Sequence, residues 1–146
     1  MSPLDEYKND FVLFVEMGFV AINQADEDAA LKLFRAAEAL DPSSPLPQVG
    51  FGYLHLHKLE LKQAIASFEK VLAKEPSNEM AKTLLGIALS FSPDKVAEGE
   101  KILTDAAKAS GDETVKKTAS DAVAFVDAFI KKSPSPAEVQ QRKPAK

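Results

Sequence analysis

The residues that most resemble catalytic or metal-binding groups are His55 and His57, the only two histidines in the chain. Side chains two residues apart do not face each other on a helix, and a zinc site needs three or four ligands. The chain also has no cysteine, which excludes thiolate metal sites, thiol nucleophiles and disulfide bonds. We therefore predict no metal and no cofactor, and we expect His55 to be a packed, hydrogen-bonded side chain.

Two other patterns could carry chemistry, and both favour a structural interpretation. The segment Gly50-Phe51-Gly52 has part of the spacing of a phosphate-binding loop, but it lacks the third glycine and a preceding strand. The acidic residues 26–28 precede a predicted helix, where they complement its dipole, and Glu98 and Glu100 are expected on a solvated helix surface. Catalysis by paired carboxylates requires a pocket that perturbs their pKa, and the sequence indicates none. The chain is predicted not to be an enzyme.

Length and charge restrict the remaining classes of function. The 146 residues carry a net charge of −4, which disfavours binding to nucleic acid through bulk charge. The longest apolar run, residues 11–22, contains Glu16 and is shorter than the about 20 residues that a membrane-spanning helix needs. The first residues lack the basic segment of a secretory signal. We expect no nucleic-acid partner, no stable membrane insertion and a cytoplasmic location.

Glycines recur at a constant interval of 34 residues, at Gly18, Gly52 and Gly86. Other residue types repeat at the same interval, namely Ala30 and Ala64, Phe34 and Phe68, and Pro42 and Pro76. This period is typical of helix–turn–helix repeats. The glycine lies in the first helix of each unit, where the missing Cβ lets the second helix approach closely. The pattern predicts three units, at about residues 11–44, 45–78 and 79–112.

The third unit departs from the period by one residue. Its small–large–small pattern consists of Gly99, Leu103 and Ala106, one place later than in the other units. We expect the inserted residue in the turn at residues 91–94, because turns tolerate changes of length.

These residues resemble the tetratricopeptide repeat (TPR) family. The three glycines match the eighth place of its repeat, and the alanine, phenylalanine and proline pairs match the twentieth, twenty-fourth and thirty-second. The family's tryptophan at the fourth place and tyrosine at the eleventh are absent. The resemblance covers residues 11–112 and implies an all-α fold. That fold is a right-handed solenoid of three helix–turn–helix repeats with a C-terminal capping helix.

The flanking segments are expected to complete a single domain over residues 1–132. Residues 113–132 form a predicted capping helix, and its apolar stripe consists of Val115, Ala119, Ala122, Val126 and Phe129. Ser2 is predicted to cap a first helix that begins at Pro3 and continues to about Asn23. Residues 133–146 have no face to bury and are predicted to be a disordered basic tail.

The resemblance also implies which side chains line the concave groove of the solenoid. In the family these stand at the second, fifth, ninth and twelfth places of each repeat. The matching residues are Val12, Val15, Phe19 and Ile22; Leu46, Val49, Tyr53 and Leu56; and Met80, Thr83, Ile87 and Ser90, with His57 and Phe91 beside them. Family members that bind chaperone C-termini have a basic and amide clamp for the carboxylate. The matching places here hold Val15, Phe19, Gly50, Met80 and Leu84, so the groove is expected to be apolar.

An apolar groove favours a protein client with an apolar helical or extended segment. In size, layout and groove character the chain resembles the small TPR chaperones of bacterial type III secretion, which hold needle subunits or translocators. This resemblance implies a non-enzymatic chaperone. The alternative is a scaffold that bridges components of a larger complex. The helix at residues 11–22 is apolar nearly all round, so a co-chaperone, a second copy or the N-terminal residues are expected to cover it. A groove filled by the protein's own terminal helices is a further alternative.

Overall fold

The computed structural model describes residues 5–131, and over this range the chain is all-α. A 3₁₀ segment, Asp5–Asp10, precedes seven α-helices. The helices are α1 (Phe11–Asn23), α2 (Glu27–Leu40), α3 (Leu46–His57), α4 (Leu61–Lys74), α5 (Glu79–Ser90), α6 (Val96–Ala109) and α7 (Glu113–Phe125). A π-helical segment, Val126–Ile130, continues α7. No helix in the described range is both long and apolar enough to cross a bilayer.

The helices pack in chain order, each against the next. The odd-numbered helices also contact one another in sequence, α1 with α3, α3 with α5, and α5 with α7. Each predicted unit of the repeat therefore contains one pair of helices. The turns after α1 and α3 repeat as well, since Ala25 and Leu59, 34 residues apart, both have a positive φ, 59° and 57°.

The predicted shift in the third unit is confirmed. The turn after α5 spans residues 91–95, whereas the equivalent turn after α3 spans residues 58–60. As a result α6 begins at Val96, 35 residues after the start of α4 at Leu61. Leu103 is fully buried and occupies the place that Phe68 has in the preceding unit.

Three helices begin with the side-chain caps that an aspartate or asparagine provides. Asp26 Oδ1 accepts a hydrogen bond from the Ala29 amide at 3.0 Å, and Asn78 Oδ1 accepts one from the Ala81 amide at 2.9 Å. Asp112 caps α7 in the same way, since its side chain accepts hydrogen bonds from the Thr114 and Val115 amides. The acidic residues 26–28 therefore stabilise the start of α2, which is the structural role expected for them.

The core depends on aromatic rings that lie directly against glycines. The Phe34 ring lies between α1 and α3, and a Cβ on Gly18 or Gly50 would stand 2.6 or 2.4 Å from its Cε1 atom. Phe68 lies on Gly52 in the same manner, with a corresponding distance of 2.5 Å. Gly50 is outside the 34-residue period, and its role is to admit Phe34 from the preceding unit.

Both ends of the described chain differ from their predictions. The first helix is not continuously α-helical, because the backbone before Phe11 is a 3₁₀ segment. In α7, Val115 and Ala119 are buried and Ala122 is half-buried, as the predicted stripe requires. Val126 is also buried, but Phe129 is 62% exposed, since the π-helical segment turns it away from the stripe. The predicted cap at Ser2, the start at Pro3 and the tail at 133–146 lie outside the described residues.

We predict that Gly50→Ala destabilises the fold by about 1–3 kcal/mol. The new Cβ would overlap the Phe34 ring, and the ring has no room to move because it is fully buried and also lies on Gly18. This overlap should outweigh the gain of roughly 1 kcal/mol in helix propensity. Urea unfolding followed by circular dichroism measures the change.

Gly111→Ala is the matched control. A Cβ there meets no atom within 4 Å, and the φ of Gly111 is not positive, so we expect a change within about 0.5 kcal/mol. In a Phe34→Leu background, Gly50→Ala should cost less than in the wild type, because the overlapping ring is gone. Equal costs in both backgrounds would contradict this account of the core.

Candidate protein-binding surface

The residues predicted to line the groove separate into a buried set and a surface set. Six of them lie in the core and not on an open groove, which corrects the prediction: Val15, Ile22, Val49, Leu56, Thr83 and Ser90. They occupy the fifth and twelfth places of each unit. These places are seven residues apart, which puts them on one face of each first helix. That face is covered because α1, α3 and α5 pack against each other and against the second helices. The buried hydroxyls of Thr83 and Ser90 donate to the Glu79 and Gly86 carbonyls, at 2.9 and 2.8 Å.

The second and ninth places of every unit keep access to solvent. Val12 and Leu46 are exposed and Met80 is half-buried, and Phe19, Tyr53 and Ile87 are half-buried in all three units. His57 and Phe91, four residues after Tyr53 and Ile87, are exposed. Asn23 stands at the equivalent place of the first unit and is also exposed. It was not predicted, although its position four residues after Phe19 indicates the same face. We call these nine residues the first-helix surface.

Aromatic contacts join the first two units of this surface. The ring centroids of Phe19 and Tyr53 are 5.5 Å apart, and those of Tyr53 and His57 are 4.5 Å apart. The Tyr53 hydroxyl donates to Asn23 Oδ1 at 3.4 Å. These contacts hold Tyr53 in one orientation, so the middle of the surface is preorganised and has few rotamers to lose when a partner binds.

The end of the chain extends the surface beyond the third unit. Phe125 of α7 lies beside Phe91, with ring centroids 5.8 Å apart, and Phe129 follows at 5.0 Å from Phe125. All three rings are at least 38% exposed. Phe91 is among the residues predicted for the groove, whereas residues 113–132 are predicted to form a cap, and Phe125 and Phe129 are not identified from the sequence as part of a surface. The signal was the spacing Phe125–Phe129, which brings two aromatic residues together on one helix face.

A second apolar surface lies on α1. Leu13, Met17 and Val20 are about half-exposed and follow the i, i+4, i+7 spacing of one helix face. Glu16 is the one charged residue of α1. The prediction that α1 is apolar nearly all round therefore holds in the structure, where this outer face is not covered by residues 5–131.

Charged groups stand at the edge of the first-helix surface, next to His57. Lys58 Nζ lies 2.7 Å from Glu27 Oε1 and 3.1 Å from Glu60 Oε1, which links the start of α2 to the start of α4. These two hydrogen bonds raise the pKa of Lys58, that to Glu27 contributing more. The pKa of Glu60 is lowered, mainly by the hydrogen bond from Lys58 and next by the hydrogen bond with His55. His55 Nδ1 lies 3.3 Å from Glu60 Oε1. His55 is thus packed and hydrogen-bonded, as predicted.

No group of three or more histidine or acidic residues in the range 5–131 could hold a metal ion. His55 and His57 take part in separate contacts, with Glu60 and Tyr53 respectively. Gly50-Phe51-Gly52 lies inside α3, so it forms no phosphate-binding loop. The first-helix surface therefore offers a ligand mainly apolar and aromatic side chains.

Comparison with known proteins identifies no relative, since no protein-family model, no curated protein and no solved structure matches the chain.

We predict that the Glu60 carboxyl titrates below its ordinary range and that Lys58→Met raises its pKa. A depressed pKa in the folded state means that Glu60 contributes stability above its unfolded pKa, and that this contribution disappears as the pH falls through the folded value. NMR titration of the carboxyl carbon measures the pKa directly. Lys62→Met, which removes an exposed lysine from the first turn of α4, should leave the Glu60 pKa unchanged. An unchanged Glu60 pKa in Lys58→Met would show that the ion pair does not form.

Proposed function

We propose that this protein is a non-enzymatic binding module that holds an apolar helical or extended segment of a client protein against its first-helix surface. One observation carries the proposal: the second and ninth places hold apolar or aromatic side chains with solvent access in all three units. A partner helix or strand that lies across α1, α3 and α5 would meet a new pair of anchors at each helix.

The free energy of binding would come from completing the burial of apolar side chains that are only half-buried in the free protein. Fully burying a large apolar side chain stabilises by roughly 1.5–3 kcal/mol, and half-buried anchors still have part of this to gain. Phe19, Tyr53 and Ile87 pack against the core, so their positions are already fixed before a client arrives. A client with its own exposed apolar face would be kept from aggregating for as long as this surface covers it.

The absence of a carboxylate clamp supports recognition of side chains and not of a chain terminus. Among the places where such a clamp would stand, Val15, Gly50 and Leu84 are buried, and Phe19 and Met80 carry no charge. Together with the 34-residue period, this supports our proposal that the helix pairs form a TPR solenoid of the chaperone type. The client class that the resemblance implies is a type III secretion needle or translocator subunit, bound in the cytoplasm.

We expect Tyr53→Asp and Ile87→Asp each to weaken client binding by tenfold or more, because an aspartate would be desolvated at the centre of the interface without a partner. Binding is measured by fluorescence anisotropy with a labelled amphipathic peptide whose apolar face is entirely aliphatic. A peptide of the same composition in scrambled order tests whether the apolar face is required.

The matched control is Ala66→Asp, which adds the same charge at an exposed position of α4. It should bind the peptide as the wild type does, and circular dichroism checks that all three variants remain folded. Folded Tyr53→Asp and Ile87→Asp proteins with wild-type affinity would refute the first-helix surface as the client site.

The outer face of α1 favours a second candidate function, that of a scaffold, because it is an additional apolar surface on a protein of this size. A protein with two such surfaces can bridge two components. If this face mediates assembly, through a co-chaperone or a second copy, Met17→Glu should abolish the assembly and leave peptide binding at the first-helix surface intact. Sedimentation velocity of wild type and variant, alone and with peptide, separates the two functions. Loss of peptide binding in folded Met17→Glu would show that the surfaces are not independent.

A further inference from the structure

We propose that the cavity between α5, α6 and α7 is a binding pocket for a single aromatic side chain of the client. The inference rests on the proposed function and deepens it by naming the anchor residue class. The cavity has a volume of about 210 Å³, and its walls are Ile87, Ser90, Phe91, Leu103, Ala122, Phe125 and Val126.

The volume and chemistry of the lining select the ligand. An apolar cavity of about 150 Å³ in another protein stays dry and binds benzene, so 210 Å³ accommodates a phenyl-sized ring. Ser90 is the one polar residue that the described part of the chain contributes to the wall, and its hydroxyl already donates to the Gly86 carbonyl at 2.8 Å. Among residues 5–131 no charged group lines the cavity, so an ion or the polar head of a free metabolite would find no counterpart there. The uncharged aromatic side chain of a peptide matches both the volume of the cavity and its apolar lining.

Two aromatic rings, Phe91 and Phe125, belong to the cavity wall, and Phe129 lies next to Phe125. Phe91, Phe125 and Phe129 form a continuous row, with successive centroids 5.8 and 5.0 Å apart. Their exposed fractions rise along the row from 38% to 44% to 62%. Aromatic pairs gain stabilisation beyond the burial of their surface, so an incoming ring gains more here than an aliphatic side chain of equal size.

The backbone at this point also favours a binding role. Val126–Ile130 is the one π-helical segment in the described range, and such segments occur frequently at functional sites. Had α7 continued as an α-helix, Phe129 would stand on the buried stripe three residues after Val126. The π-helical turn exposes Phe129 and keeps Val126 in the cavity wall.

The cavity is continuous with the first-helix surface, which is why we assign its occupant to the client. Ile87 and Phe91 belong to both, so a segment that lies across α1, α3 and α5 reaches the cavity at its third helix. The side chain that enters is therefore at one end of the bound segment. The rest of the segment needs only aliphatic anchors.

The pocket is tested first without any client, using benzene as the probe. In ¹H–¹³C spectra, millimolar benzene should shift the methyl signals of Ile87, Leu103 and Val126. Ala122→Leu fills the cavity and should abolish these shifts, whereas Ala124→Leu, an exposed position on the same helix, should retain them. Absent shifts in the wild type, or equal shifts in both variants, would overturn the pocket.

The client side chain is tested with the aliphatic peptide by replacing one apolar residue at a time with phenylalanine. We expect one position, near an end of the peptide, to tighten binding by about tenfold in the wild type and in Ala124→Leu. The gain should vanish in Ala122→Leu and fall in Phe129→Ala, an exposed position whose truncation leaves the core intact. No gain at any position, with the aliphatic peptide still bound, would refute the pocket and leave the proposed function standing. Benzene binding without binding of any peptide would refute the proposed function and the assignment to a client side chain.

Discussion

The close approach of helices across glycine is the constraint on which the rest of the structure depends. Phe34 is fully buried because Gly18 and Gly50 leave no Cβ where its ring lies, and Phe68 uses Gly52 in the same way. With ordinary side chains at these glycines the helices would have to separate, and the ring would lose its contacts on both sides. The tight spacing in turn decides which residues of the first helices become core and which remain on the surface.

That division gives the protein an apolar surface, and within residues 5–131 no buried side-chain nitrogen or oxygen lacks a hydrogen-bond partner. The fifth and twelfth places are buried in every unit, and the two hydroxyls among them bond to carbonyls within α5. The second and ninth places remain accessible and carry apolar or aromatic groups. Charges such as Lys58 and Glu60 stand at the edge and pair with one another. Such a surface suits a partner that buries apolar side chains, and it offers little to a ligand recognised by charge.

The last helix both closes the core and extends the surface. Helix α7 packs on α6 and α5 with Val115 and Ala119 buried, while Phe125 lies beside Phe91 and Phe129 follows beside Phe125. A helix that served only as a polar cap would not leave two phenylalanines exposed at its end. The winding changes from α- to π-helical after Phe125, and this change rotates Phe129 out of the stripe that Val126 completes. The same helix can therefore close the core and extend the surface.

The sequence by itself determined the all-α class, the pairing of helices, the acidic start of α2 at residues 26–28, and the one-residue shift before Gly99. These are local or periodic properties, so residue type and spacing suffice to predict them. Only the tertiary structure decided that Val15 and Val49 are core while Phe19 and Tyr53 are accessible, since all four are apolar and their exposure depends on how closely neighbouring helices approach. The role of Gly50 was hidden for the same reason: the ring that requires it belongs to the preceding unit. The exposure of Phe129 follows from a change in helical winding that the stripe of apolar residues does not reveal.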